Sequence, residues 1–179
     1  MNTLGYVLLS LLSVKPYTGY ELVQIMQTAS WQAKHSQIYP LLAKMEQEEL
    51  LTFEHVEQIG KPNKKIYSIS DKGVALLKQW ITESPATPII RDEFLMKMYA
   101  ISLTDTETAK RLVQERLSTY KEKADSREAA IKSLEQENNE NIKDITSKHF
   151  GRFIFFERRL RLEKEEISWC KWVLSLLEK

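Results

Sequence analysis

The chain has 179 residues, which is enough for one compact domain of ordinary size or for two small ones. Its 42% hydrophobic and 28% charged content is typical of a globular protein, 5 glycines and 5 prolines favour helix, and the single cysteine, Cys170, excludes an internal disulfide. The net charge is +1, and residues 1–83 hold eight lysines and eight acidic residues, so any nucleic-acid site must depend on where the charges lie.

The first apolar stretch predicts a helix that is neither a signal peptide nor a membrane span. Its apolar residues repeat at helical spacing: Leu4, Val7, Leu8, Leu11 and Leu12. The stretch lacks a basic n-region and a cleavage site, and about a dozen residues are too few to cross a bilayer. Pro16 ends it, and Thr18 with Glu21 forms a predicted capping box for a second helix that ends around Trp31. Together with the single thiol, this pattern predicts a cytoplasmic protein without a membrane partner.

The third predicted helix, residues 36–47, has one apolar and one polar face. Its apolar residues fall at i, i+3, i+4 and i+7, as on a buried helical face: Ile38, Leu41, Leu42 and Met45. Ser36 is the predicted N-cap, and Pro40 requires the helix to begin close by, because proline is tolerated only near the first turn. The opposite face carries amide, phenol and ammonium groups but no carboxylate: Gln37, Tyr39, Pro40, Ala43, Lys44 and Gln47. The three helices therefore predict a helix-turn-helix whose third helix enters a DNA groove.

A β-hairpin is predicted directly after the third helix. Residues 51–57 and 66–70 alternate enough to form two strands, and the turn-rich segment 58–65 joins them. This loop carries three lysines: Lys61, Lys64 and Lys65. A hairpin in this place is typical of a winged helix, and we expect its lysines to contact phosphate, although lysines in a loop are often only solvated.

A fourth helix and a break complete the first half of the chain. Ser70 is the predicted cap of a helix that runs from Asp71 to about Thr82. The segment 84–88 contains two prolines and breaks the chain. We therefore predict a winged helix-turn-helix domain at 1–84 and a helical domain at 85–179.

The second half predicts long helices. Residues 89–101 form a helix with Asp92 as its cap, and Thr104 with Glu107 forms a capping box for a long helix that reaches about Glu137. From Ile142 onward, apolar residues alternate steps of three and four for about five heptads. Such a helix would be on the order of 50 Å long. The predicted fold class is therefore mainly α with a small β-hairpin.

The apolar seam of the last helix needs a partner. A second copy of the chain under two-fold symmetry is the simplest one, an antiparallel hairpin within one chain is the alternative, and we expect both to occur. The predicted dimerisation residues come from both long helices: Leu112, Leu117, Tyr120, Phe153, Phe156, Leu160, Ile167, Trp169, Cys170, Leu174 and Leu177.

Four segments in a fixed order resemble the PadR family of transcriptional regulators: residues 4–9 (LGYVLL), 17–22 (YTGYEL), 36–42 (SQIYPLL) and 67–73 (YSISDKG). Residues 167–170 are similar to the longer C-terminal type of the same family, so the resemblance covers nearly the whole chain. It implies a homodimeric repressor whose winged helix binds a pseudo-palindromic operator, with release by a small molecule or another signal in some members. Met45 and Glu49 stand where many members have leucine and glycine, which bears on local packing.

The DNA contacts are predicted residue by residue. Ser36 and Gln37 are placed to reach base edges, because a glutamine amide matches adenine in the major groove. Tyr39 donates to a phosphate or packs on a sugar, Pro40 contacts a thymine methyl, and Lys44 neutralises a phosphate together with the three loop lysines. The start of the second helix presents free N–H groups to another phosphate: Thr18, Gly19 and Tyr20. Alternatively, the rings of Tyr20 and Tyr39 brace the domain.

No catalytic, metal or cofactor motif is present in the sequence, so neither an enzyme nor a cofactor is predicted. An apolar effector site is a weaker hypothesis, since aromatic and methionine residues near the domain junction are more often plain core: Trp31, Trp80, Phe94 and Met98. The competing function is a protein-interaction adaptor that uses a winged helix and a coiled coil. The neutral charge of the first domain favours that alternative.

Overall fold

In a computed structural model of the protein, the described residues are 1–28, 33–56, 64–88, 91–138 and 141–178. They form two compact units, Met1–Thr87 and Pro88–Lys179. The helices and strands are α1 Thr3–Leu12, β1 Tyr17–Thr18, α2 Gly19–Thr28, α3 His35–Gln47, β2 Leu51–Val56, β3 Lys64–Ile69, α4 Asp71–Ile81, α5 Glu93–Tyr99, α6 Thr106–Glu137 and α7 Phe150–Leu177. A 3₁₀ helix at Ile101–Leu103 separates α5 from α6. The predicted mainly α fold with a small sheet is confirmed.

The apolar faces of α1, α2 and α3 build the core of the first unit. Its largest fully buried side chains are Leu8, Leu9, Leu22, Met26, Ile38, Leu42 and Met45. The predicted apolar stripe of the third helix is thus buried, apart from the half-buried Leu41. Ser70 caps α4 as predicted, since its hydroxyl accepts the Gly73 N–H at 3.1 Å. This core holds α3 with its polar face outward.

A three-stranded antiparallel sheet, in the order β1–β3–β2, packs beside these helices. β2 and β3 form the predicted hairpin, with Leu51 opposite Ile69. β1 was not predicted, because a two-residue strand is too short to show an alternating pattern. Its Tyr17 lies opposite Tyr67, and the pairing covers the second edge of β3.

The predicted extent of the hairpin loop is wrong at its C-terminal end. β3 begins at Lys64, so Lys64 and Lys65 belong to a strand and pair with Val56 and His55. Alternation along a strand then sends these two lysine side chains to opposite faces of the sheet. Lys61 lies outside the described residues.

The start of α3 also differs from the prediction. The N-cap is Lys34, and its backbone N–H donates to Gln37 Oε1 at 3.0 Å, so Ser36 is not the cap. Pro40 is consequently the sixth residue of the helix, just beyond the first turn. Because proline has no N–H, the carbonyl of Ser36 lacks its usual intrahelical donor.

α3 is followed by a residue in the left-handed conformation. Glu49 has φ 59°, and the next N–H, that of Leu50, donates to the Met45 carbonyl at 2.9 Å. This position after a helix favours glycine, which has no Cβ to crowd the backbone. The departure at Glu49 from the resembled family therefore affects backbone conformation as well as packing.

The second unit contains an antiparallel hairpin of two long helices. α6 ends at Glu137, as predicted. Two ion pairs between the helices show this arrangement, because the residue number rises along α6 and falls along α7 from Arg116–Glu166 to Arg127–Glu163. An apolar cluster lies between the helices: Ala124, Ile131 and Leu160, with Phe153, Phe156 and Ile167 packed against them. Pairing within one chain, one of the two predicted arrangements, is thus present.

α7 begins later than predicted. The seam was expected to be helical from Ile142, but α7 starts at Phe150 and residues 141–149 form successive turns. Asn141 and Asp144 explain the difference, because the side chain of each accepts the backbone N–H two residues later, at 3.1 and 2.8 Å. Such local bonds favour turns over helix. At 28 residues, α7 is about 42 Å long.

The two predicted caps in this unit have different outcomes. Asp92 caps α5 as predicted and accepts two backbone N–H bonds at 3.0 and 3.3 Å. α6 is capped by Asp105 and not by Thr104. The two oxygens of the Asp105 carboxylate accept the N–H and the hydroxyl of Thr108, each at 2.8 Å. An ionised carboxylate accepts such bonds more strongly than a neutral hydroxyl does.

Arg116 connects the start of α5 to the two long helices α6 and α7. Its guanidinium donates to Asp92 at 2.6 and 3.2 Å and to Glu166 at 2.6 Å. The same group lies 4.3 Å from the ring centroid of Phe94 and 5.0 Å from that of Tyr120. The hydrogen bond from Arg116 is the main reason that the pKa of Asp92 lies below its ordinary value. Asp92 therefore caps α5 and also links that helix to α6 through its ion pair with Arg116.

We expect acid to weaken this link. The pKa of Asp92 is lower in the folded than in the unfolded chain, so its contribution to stability is present above about pH 4 and is lost as the pH falls toward the folded pKa. Urea unfolding of the wild type and of Asp92→Asn between pH 7 and pH 3 measures the effect. The two free energies should converge as the pH falls, and a constant difference would contradict the assignment.

None of the helices within the described ranges is long and apolar enough to cross a membrane.

Candidate nucleic-acid interface

The first turns of α3 form an exposed surface without a carboxylate. Ile38 is fully buried, which orients the helix, and its outer residues are exposed: Lys34, His35, Ser36, Gln37, Tyr39 and Pro40. No acidic residue lies in the first turn. The helix dipole adds partial positive charge at this end. This surface is therefore suited to an anionic partner.

Lys34 and His35 were not among the predicted contacts. They were missed because the predicted helix began at Ser36, one residue late. The His35 ring stacks on Tyr39, with centroids 6.0 Å apart and planes 11° apart. The sequence indicated a possible contact here only through Lys34, a cation directly before the helix, and one cation is weak evidence for a binding site.

Gln37 already has a structural role. Its Oε1 accepts the Lys34 N–H at 3.0 Å, while its amide NH₂ retains its donors. Both groups are needed for a bidentate contact with adenine, so the oxygen must use its second lone pair or give up the cap. Gln37 therefore couples the start of the helix to any base contact that it makes.

Tyr39 lies against the start of α2. A Cβ added to Gly19 would come within 2.8 Å of Tyr39 Cε1, so the close approach requires glycine. Tyr39 remains 44% exposed. Its ring thus packs against the unit, while part of the side chain stays accessible to a ligand.

The carboxylate of Glu21 occupies a backbone N–H at the start of α2 that was predicted to bind phosphate. The Glu21 carboxylate accepts the N–H and the hydroxyl of Thr18, both at 2.7 Å, which confirms the capping box. The backbone bond from Thr18 is the largest cause that lowers the pKa of Glu21, so this carboxylate stays ionised. The N–H of Thr18 is therefore not free for phosphate, and an anion here would have to approach Gly19 and the exposed Tyr20.

A groove of about 670 Å³ connects this region to the sheet. It is lined by Thr18, Gly19, Tyr20, Glu21, Tyr39, Lys64, Lys65 and Tyr67. A second groove, of about 560 Å³, runs along the other side of α3 and includes Gln37, Pro40 and Lys44. Lys44 is exposed and forms an i,i+4 ion pair with Glu48 at 3.7 Å. Apart from Ser36, the predicted contact residues that the structure describes line these two grooves.

The two described lysines of the β2–β3 hairpin, Lys64 and Lys65, differ in their ion pairs. Lys65 Nζ lies 3.1 Å from Glu46 Oε2 and 3.7 Å from the ring centroid of Phe53. Within the part of the chain that the structure describes, Lys64 forms no ion pair. The predicted phosphate role therefore suits Lys64 better than Lys65.

Two of the predicted effector residues, Trp80 and Phe94, pack against another aromatic ring of their own unit. Trp31 lies outside the described residues. Trp80, in the first unit, stacks on Tyr6 with centroids 4.6 Å apart. Phe94, in the second unit, packs edge-on against Trp169 at 6.1 Å, and Met98 is half-buried on α5.

Two of the predicted dimerisation residues are buried within the chain, and the others are half-buried. Leu160 and Cys170 are buried within one chain, and burial raises the pKa of the Cys170 thiol. The other predicted residues are half-buried: Leu112, Leu117, Tyr120, Phe153, Phe156, Ile167, Trp169, Leu174 and Leu177. Large apolar residues that were not predicted are more exposed on α7: Ile154, Phe155, Leu162, Trp172 and Leu176. They lie outside the predicted heptad stripe, because α7 is apolar on more than one side.

Three helices followed by a paired hairpin define a winged helix-turn-helix, a class of DNA-binding folds. Comparison with known proteins identifies the family. Residues 8–79 match the transcriptional regulator PadR-like family, and residues 90–178 match the family described as virulence activator alpha C-term. The chain is 30% identical over 183 aligned residues to the negative transcriptional regulator PadR of Bacillus subtilis, with 100% of both chains covered. The chain belongs to the PadR-like family and is a transcriptional regulator of that type, with the longer C-terminal region.

Solved structures agree with this assignment. The crystal structure of Bacillus subtilis PadR in complex with operator DNA matches with a TM-score of 0.80 and 29% identity, covering 98% of this chain and 99% of that chain. The structure of Bacillus subtilis PadR in complex with p-coumaric acid matches with a TM-score of 0.75 and 28% identity, covering 98% and 96%. The resemblance found in the sequence is confirmed.

Proposed function

We propose that the protein is a cytoplasmic, sequence-specific repressor that binds a pseudo-palindromic operator as a homodimer. The observation that carries this proposal is the exposed, carboxylate-free first half of α3 above a fully buried Ile38. The structure of the relative PadR with operator DNA supports it. In this proposal α3 enters the major groove and the β2–β3 hairpin lies on the adjacent backbone.

The proposed contacts follow from the geometry of the site. Ser36 and Gln37 read base edges, and Pro40 meets a thymine methyl. Tyr39, Lys44 and Lys64 contact the sugar-phosphate backbone, and the same role is proposed from the sequence alone for Lys61, which lies outside the described residues. At the start of α2, Gly19 and Tyr20 contact phosphate, while Thr18 holds Glu21 in its cap. This division assigns base reading to α3 and electrostatic affinity to the lysines around it.

The proposed dimer is formed by the second unit. The exposed apolar residues of α7, such as Phe155 at 44% and Trp172 at 56%, extend the predicted surface and would be covered by a second copy. Two recognition helices then meet half-sites one helical turn apart, about 34 Å. The structure of the relative PadR with p-coumaric acid supports a small aromatic acid as the effector that releases the DNA.

Fluorescence anisotropy with DNA from upstream of the chain's own coding region tests this function. We expect specific binding that weakens steeply between 50 and 200 mM salt, as for proteins with several phosphate contacts. Scrambled DNA of the same length is the control. An adaptor would show no specific, salt-sensitive binding, and that result would reject the proposal in favour of the alternative function.

Gln37→Ala is expected to weaken specific binding by about fivefold to 150-fold, the equivalent of about 1–3 kcal/mol for a good base contact, without changing the salt slope. The matched control is Gln47→Ala, an exposed glutamine at the far end of the same helix. Because Gln37 also accepts the Lys34 N–H, helix content must be measured in parallel by circular dichroism. Equal affinities for the two variants would remove Gln37 from the base contacts.

A further inference from the structure

An ion pair connects α3, the proposed recognition helix, to the β2–β3 hairpin, which is the wing of the winged helix. Lys65 lies on β3, and its Nζ is 3.1 Å from Glu46 Oε2 and 3.3 Å from Glu46 Oε1. Glu46 lies near the C-terminal end of α3. The two side chains are 35% and 29% exposed, so the pair is partly shielded from water. Partial burial makes such a pair less sensitive to salt than a fully exposed one.

The ring of Phe53 holds the Lys65 ammonium from another direction. Phe53 lies on β2 and packs against the core of the first unit. Lys65 Nζ is 3.7 Å from the ring centroid, within the range of a cation–π contact. The ammonium of this β3 residue is therefore in contact with β2 and with α3 at the same time. An ammonium held in this way is poorly available to a phosphate.

We propose that the Lys65–Glu46 pair is a brace that sets the position of the wing relative to the recognition helix. Lys65 is then a positioning residue and not a phosphate contact. The inference rests on the proposed DNA-binding function, because the separation of helix and wing matters only if both touch one duplex. A helix in the groove and a hairpin on the backbone must match the width of the groove together.

Removal of the acidic partner separates this role from general electrostatics. A carboxylate near DNA repels phosphate, so electrostatics alone predicts that Glu46→Gln binds DNA more tightly. The brace predicts the opposite, a loss of about threefold to fivefold in specific affinity, the size expected for a partly exposed ion pair. Glu48→Gln is the matched control, since Glu48 is the C-cap residue of the same helix and, among the described residues, forms an ion pair with Lys44 alone. It should bind as well as the wild type or more tightly.

The two lysines provide a second test. Lys65→Met keeps an apolar stem against Phe53 and should lower specific affinity without changing the salt slope. Lys64→Met should lower the slope by about one. The exchanged pair, Lys65→Glu with Glu46→Lys, should recover the affinity lost in the single variants to within about twofold.

The outcome is decided by anisotropy titrations at several salt concentrations on one specific duplex. Weaker binding by Glu46→Gln together with an unchanged slope for Lys65→Met supports the brace. Tighter binding by Glu46→Gln, or a slope lowered by about one in Lys65→Met, overturns it. A wild-type chain that shows no specific binding rejects the proposed function itself, which is a distinct result.

Discussion

Glu163→Ala is expected to lower the free energy of unfolding of the second unit by about 3–5 kcal/mol, the usual cost of breaking a buried ion pair. Glu163 is 1% exposed and Arg127 is 8% exposed, with 3.5 Å between Glu163 Oε1 and Arg127 Nη2. Without the carboxylate, the Arg127 guanidinium remains buried without its anionic partner. Hydrogen exchange of the α6 and α7 amides reports the stability of this unit directly.

Two further variants test whether the loss of stability comes from the Arg127–Glu163 ion pair itself. Glu165→Ala removes an exposed carboxylate of the same helix that forms no ion pair among the described residues, and it should change stability by less than about 0.5 kcal/mol. Arg127→Met combined with Glu163→Leu replaces the pair by apolar groups and should be about neutral or stabilising. If Glu163→Ala costs no more than Glu165→Ala, the pair does not stabilise the hairpin.

Gly73→Ala is expected to destabilise the first unit by about 1–3 kcal/mol or more, as overpacking of a tight site does. A Cβ at this position in the first turn of α4 would overlap the Leu50 carbonyl oxygen and would approach Ile69 Cγ1 to 2.9 Å. That carbonyl accepts the Ser70 N–H at 3.1 Å, so it cannot move aside without loss of a hydrogen bond. The helix propensity that alanine gains, about 1 kcal/mol, is too small to offset the clash.

Gly151→Ala is the matched control for this prediction. Gly151 lies in the first turn of α7, and an added Cβ would have no neighbour within 4 Å. Only the propensity gain remains there, so this variant should be more stable by up to about 1 kcal/mol. Urea unfolding followed by circular dichroism measures both changes. Effects of the same sign in the two variants would contradict the account of the α4 packing.

Patterns that extend over many residues were predicted well. The stripe from Ile38 to Met45 and the length of α6 follow from helical periodicity, which long segments report strongly. The capping box of Thr18 and Glu21 was predicted from its own residues, because both partners lie within one turn.

The parts that were missed depend on contacts between distant segments or on local competition. β1 exists because β3 lies beside it, a pairing that two residues cannot signal. The partner of Lys65 is 19 residues away along the chain, so the loop lysines seemed equivalent in the sequence. α7 starts late because Asn141 and Asp144 bond to nearby backbone, although the apolar spacing continues through them.

In the function proposed here, separate residues read bases, bind phosphate and position the β2–β3 hairpin. The recognition surface at the start of α3 carries no carboxylate, and Glu46 farther along the helix is paired with Lys65. On this proposal, the affinity for DNA depends on salt through the lysines that contact phosphate, and the specificity depends on the first turns of α3.

The most direct test of the central claim is selection of bound sequences from a random DNA pool by the full chain. A homodimer that uses two α3 helices predicts an enriched motif with two-fold symmetry and half-sites about 10 base pairs, or one helical turn, apart. The motif should be lost with Gln37→Ala and retained with Gln47→Ala. Enrichment of an asymmetric motif would contradict the dimeric arrangement, and the absence of any enriched motif would contradict sequence-specific DNA binding itself.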